Sequence, residues 1–160
     1  MADAPRTLFE KIWSRHRVME REDGQTLLYV GRHLLHDGGA TAFDVLRKRG
    51  LKPRAPDRIF ATPDHYVSTA SRKVEEIEDP RHREMVEKLA RNTAEHGIRE
   101  FGLGDPNQGI VHVMGPETGL SQPGLLPQVT MGWMALPSTM ISVSKTAPGS
   151  LGSSRQRDTA

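Results

Sequence analysis

Two adjacent residues, Asp64 and His65, offer the clearest chemistry in this sequence. A carboxylate beside an imidazole fixes its tautomer and raises its basicity, which suits proton transfer near neutral pH. The pair follows a short apolar run, Ile59–Ala61, that reads as a buried strand. Thr62 and Pro63 end that run, because proline has no N–H to give to a sheet ladder. Open α/β sheets place their ligand sites where a strand stops and hands polar residues to the following loop. The dipeptide on its own fits an ordinary surface turn equally well.

Two other histidines, His33 and His36, stand three apart. On a helix they would share a face and could hold a metal ion. No third ligand follows nearby in sequence, and Gly38-Gly39 interrupts the segment. The remaining histidines are scattered over separate elements, so their spacing predicts no metal site. His112 lies in an apolar run over residues 109–114 that reads as a buried strand, where a satisfied core histidine is the competing reading.

The elements that must position these residues are legible in the pattern. Thr7-Leu-Phe-Glu10 is a capping box, and the apolar spacing after it predicts a helix over residues 7–20. Asp23-Gly24 is a turn, and residues 26–30 form a compact apolar strand. Thr41 caps a helix over residues 42–49, closed by Gly50. The clearest helix covers residues 80–96, with Asp79 as its cap, Pro80 at its start and Gly97 as its stop. A short strand is predicted over residues 98–103. Strands alternate with helices from residue 7 to residue 124, which predicts an α/β fold with a mainly parallel sheet flanked by helices. The pattern changes near residue 126. Residues 127–160 are rich in Ser, Thr, Gly, Met and Pro and lack a sustained period. They divide the chain into an α/β domain, 1–126, and a divergent tail, 127–160, predicted to be largely disordered. Two apolar islands there, residues 131–136 and 140–143, read as weak strands.

Composition narrows the function classes. Among 160 residues, 22 basic side chains face 20 acidic ones with the signs mixed, so no broad basic field exists for nucleic acid. Aromatics make up 5%, too few for base-stacking platforms. The longest apolar run is too short to span a membrane, and residues 1–6 lack the apolar core of a signal peptide. A soluble cytoplasmic protein is the default expectation. Cysteine is absent, which excludes disulfides, thiolate nucleophiles and cysteine-ligated metal centres within this sequence.

Four segments carry a more specific signal: Thr7-Leu-Phe-Glu-Lys-Ile-Trp13, Leu27-Leu-Tyr-Val-Gly-Arg-His-Leu-Leu-His36, Ala61-Thr-Pro-Asp-His-Tyr-Val-Ser-Thr69 and Gln108-Gly-Ile-Val-His-Val-Met-Gly-Pro-Glu117. In this order they resemble the start of the large subunits of 3-isopropylmalate dehydratase, in the aconitase superfamily. The resemblance implies an incomplete aconitase-like N-terminal domain. It also implies interconversion of 2- and 3-isopropylmalate by dehydration and rehydration in leucine biosynthesis, with a small subunit as partner and a [4Fe–4S] cluster as Lewis acid. By resemblance Asp64 and His65 are the acidic pair at the leaving hydroxyl, His112 is an active-site histidine and His36 is a substrate-binding residue.

The departures are as informative. The family has Asp where Gly31 stands, and the segment after Asp37 is about one residue shorter here. After Gly124 the family continues into Cys-Gly-Asp-Ser-His-Thr, whereas this chain reads Leu125-Leu-Pro-Gln-Val-Thr-Met-Gly-Trp133. The cluster cysteines and the serine base of the family lie farther downstream. The expectation is therefore a dehydratase large-subunit fragment that binds no cluster and is inactive alone. The alternative is a non-catalytic α/β binding module of the same descent.

Overall fold

A computed structural model describes residues 5–121, 128–130 and 140–144. The chain forms two compact units, one of residues 1–30 with 140–160 and one of residues 31–139.

In the first unit, helix α1 (Leu8–His16) opens on the expected capping box. The Thr7 hydroxyl accepts from the Glu10 N–H, and the Glu10 carboxylate accepts from the Thr7 N–H. The helix ends four residues earlier than predicted. The Arg17 backbone turns extended, and β1 (Arg17–Glu20) pairs antiparallel with β2 (Gln25–Tyr29) across the Asp23-Gly24 turn. Hairpin pairing with β2 overrides a helical pattern that a β-branched residue, Val18, already weakens. β7 (Met140–Ser144) completes an antiparallel β1-β2-β7 sheet and contains the predicted island at 140–143. The island at 131–136 and the tail beyond residue 144 lie outside the described residues. The apolar stripe of α1 is mostly uncovered: Leu8 and Phe9 are exposed, and only His16 is buried.

The second unit holds the predicted parallel sheet. Its order is β5 (Arg99–Glu100), β4 (Ile59–Ala61), β3 (Arg32–Leu35), β6 (Gln128–Thr130), with every neighbouring pair parallel. Successive residues of a strand point to opposite faces, and the sequence exploits that period. Leu35 and Ala61 face helices α2 (Ala40–Lys48) and α3 (Pro80–His96), packing with Phe43, Leu46, Leu89 and Ile98. Leu34 and Phe60 face the other way, against Phe101 and helix α4 (Val111–Glu117) through Val111 and Met114. Helices thus cover both faces. α3 matches its predicted span, capped by the Asp79 carboxylate on the Arg81 N–H and closed by Gly97 at φ 65°, a left-handed turn that favours glycine. α2 starts two residues early, at Ala40. Its cap is Gly39, with no side-chain capping bond from Thr41.

Two expectations need correction. The segment with His33 and His36 is not a helix; His33 lies within strand β3, so the shared helix face does not exist. The run at 109–114 is not a strand. It enters α4, where Val111, Met114 and Gly115 are buried at helical spacing while His112 and Val113 face solvent. Ile110, Val111 and Val113 give this run strand propensity, but packing on Leu34 and Phe101 decides for the helix.

Glu100 at the end of β5 carries a testable consequence. Burial pushes its carboxyl above the usual range, and a hydrogen bond from the Thr93 hydroxyl (2.6 Å) offsets only part of that. A raised native pKa favours the protonated native state. Stability is therefore full below the unfolded pKa and is lost as pH rises through the native one. Glu100→Gln is expected to raise the urea midpoint at pH 7 and to lose that advantage at pH 4. Equal midpoints at pH 7 would contradict the assignment.

Candidate functional site

The loops that leave β3 and β4 meet at the carboxyl edge of the parallel sheet. Leu35 is paired with Ala61, and the Thr62 N–H donates to the Leu35 carbonyl (3.0 Å), so His36-Asp37 and Asp64-His65 emerge side by side. The β4 loop is pinned from beneath. The buried Thr62 hydroxyl sits 3.1 Å from the Phe101 carbonyl and 3.2 Å from that of Gly109, and the Gln108 amide donates to the Pro63 carbonyl (2.8 Å). These contacts fix where Asp64 leaves the sheet.

Asp64 has a side chain only 2% exposed. One of its oxygens accepts the Val111 N–H at 2.7 Å, and the other meets Nδ1 of His65. The His65 side chain is 56% exposed, so its far edge, with Nε2, reaches solvent. Its ring stacks on that of His36, with centroids 4.1 Å apart and planes 17° apart. Beneath the two rings lies Asp37, fully buried. Its carboxylate accepts the Tyr66 N–H (2.8 Å) and the His65 N–H (3.2 Å), and one oxygen lies 3.4 Å from Nδ1 of His36. Burial pushes the Asp37 carboxyl up, but the contact with His36 and the two backbone donors outweigh it, leaving the carboxyl below its ordinary value.

His36 is held in place locally. Its Nδ1 accepts the Gly38 N–H at 3.0 Å, and a Cβ at Gly38 would lie 2.6 Å from Cε1 of the ring. Glycine is the residue that leaves the imidazole this space. Two imidazolium charges at the 4.1 Å ring separation would repel by at most about 4 kcal/mol at an effective dielectric near 20, less on the solvent side of His65.

Of the four residues read from sequence, the fold brings three together: His36, Asp64 and His65. His112 enters through its neighbour, since Val111 bonds to Asp64, but its own ring is exposed and makes no hydrogen bond to another described residue. Asp37 was not singled out from sequence. Its signal was an acid two residues after a strand and before Gly38-Gly39, close to the place that Asp64 takes three residues after β4.

The Aconitase family (aconitate hydratase) profile matches residues 10–130. The 3-isopropylmalate dehydratase large subunit of two Thermus thermophilus strains is 49% identical over 121 residues, 75% of this chain and 25% of that protein. The subunit of that name from Prochlorococcus marinus is 45% identical over 121 residues, 75% of this chain and 26% of its own length. The chain thus spans about a quarter of the length of these curated relatives. No solved structure matches it. Full-length members of the family carry a [4Fe–4S] cluster. This chain has no cysteine, so its donor set does not fit a thiolate-held cluster. With a family profile spanning most of its length and an acid–imidazole pair at the carboxyl edge of its parallel sheet, the chain belongs to the aconitase family.

Proposed function

We propose that this chain is part of a 3-isopropylmalate dehydratase large subunit and contributes the proton-donating half of its site. The observation that carries this reading is the Asp64–His65 geometry. A buried carboxylate, fixed by the Val111 N–H, holds Nδ1 of His65 and leaves Nε2 as the nitrogen that meets a substrate. An imidazolium in that position gives its Nε2 proton to the substrate hydroxyl; the C–O bond breaks and water departs while a base from outside these residues takes the neighbouring C–H proton and that electron pair forms the double bond. His36, stacked on the ring, limits its rotation and lines the same opening. We assign His36 to substrate binding and His112 to the outer side of the site.

The names of the relatives support an isopropylmalate-type substrate and a small subunit as partner. The profile match over residues 10–130 supports a family domain near 1–126, followed by a distinct segment over 127–160. A cytoplasmic setting accords with the lack of any described helix long and apolar enough to cross a membrane. A second reading is a non-catalytic α/β binding module of the same descent, which needs no cysteine.

Substrate recognition is tested by following the imidazole signals of the purified chain by NMR while 2-isopropylmalate is added. Saturable shifts at His65 and His36, lost in His65→Ala, are the expected result. Shifts confined to His82 and His96, or none at millimolar ligand, would defeat the proposal.

A further inference from the structure

We propose that His36, Asp37, Asp64 and His65 form a binding site for one divalent first-row transition-metal ion of the zinc or cobalt type. The four residues each offer one ligand atom, and these atoms lie within 4.8 Å of one another. The inference does not rest on the dehydratase reading. It follows from charge and donor type. Asp37 and Asp64 place two carboxylates, 0% and 2% exposed, at one point in the fold. Among the described residues neither carboxylate meets a lysine or an arginine; the basic side chains beside them are the two imidazoles. Buried charges in proteins are paired or coordinate metals.

Protons alone satisfy this arrangement poorly. Neutralising both carboxylates with the histidines requires two charged rings in a 4.1 Å stack. Nδ1 of His36 lies 3.0 Å from the Gly38 nitrogen and 3.4 Å from an Asp37 oxygen, and it cannot accept from the first and donate to the second at once. A dication between these groups matches both negative charges at once and meets the nitrogen and oxygen lone pairs. Two imidazoles with two carboxylates suit a borderline metal in a tetrahedral site.

Bonds of about 2.1 Å place tetrahedral ligand atoms about 3.4 Å apart, so the widest pair, within 4.8 Å, closes by at most about 1.4 Å. His65, the exposed member, is the side chain with room to make that movement. Asp37 is held by backbone donors and the His36 ring by the Gly38 cradle; coordination through Nδ1 of His36 replaces its bond from the Gly38 N–H. Metal and proton transfer compete here, because the ion engages the same Asp64 and His65 groups.

The experiment uses the untagged chain, freed of metal with a chelator and titrated with Co²⁺. Visible d–d absorption is followed, and bound metal is counted by elemental analysis after dialysis. One ion per chain is expected, with binding weakened at least about tenfold in His65→Ala and in His36→Ala and unchanged in His82→Ala. Circular dichroism confirms that each variant is folded; His65, being exposed, is the variant least able to disturb the fold. Absence of bound metal in the native chain, or affinity unaltered in folded His65→Ala, would overturn the proposal.

Discussion

Asp37→Ala is expected to destabilise the 31–139 unit by about 3–5 kcal/mol, the range found when one member of a buried ionic arrangement is removed. Asp37 is fully buried and is the acceptor for the His65 and Tyr66 N–H groups. Alanine leaves both donors without their acceptor, and each unsatisfied buried group costs about 1–3 kcal/mol. It also removes the carboxylate that lies against Nδ1 of His36. A loss of this size is a large part of the stability of an ordinary domain, about 5–15 kcal/mol. Asp37→Asn separates the contributions: its amide oxygen still accepts from the backbone, so it should cost less than alanine. Urea unfolding followed by circular dichroism measures both variants. A loss below about 1 kcal/mol for Asp37→Ala would show that Asp37 does not organise the loop.

The purified chain, mixed with a small subunit, ferrous iron and sulfide, is expected to show no isopropylmalate dehydration. Hydroxide leaves poorly and the proton on the neighbouring carbon is weakly acidic, so the reaction needs an electrophile at the hydroxyl. The family supplies it through a thiolate-held cluster, and this chain has no cysteine. Asp64 and His65 remain for proton transfer, which contributes about 10²–10⁴-fold. Enzymes commonly need about 10⁶-fold or more. The shortfall is therefore at least about 10²-fold, and absorbance of the unsaturated product should stay at background. Turnover that disappears in His65→Ala would establish an active dehydratase and refute this expectation.

The sequence alone determined the α/β class, the span of α3, the strand at β4 and the main acid–imidazole pair. Each rests on local physics. The apolar face of α3 is written at helical spacing between Asp79 and Gly97. The strand before Asp64 ends at a proline, and its neighbours supply turn residues. Composition also settled the cluster question for this chain, because a cysteine count needs no coordinates.

Tertiary structure decided the rest. Residues 17–20 became a strand because β2 was there to pair with them. Residues 111–117 became a helix because Leu34 and Phe101 cover one face and Asp64 receives the first N–H. The site depended most on this level. Asp37 and Asp64 are 27 positions apart, and no local pattern relates them. They meet because β3 and β4 pair in parallel with Leu35 beside Ala61, so both strands deliver an acid and an imidazole to one edge. Strand register, a property of the folded sheet rather than of either segment, brings two separate dipeptides into one four-residue cluster around two buried carboxylates.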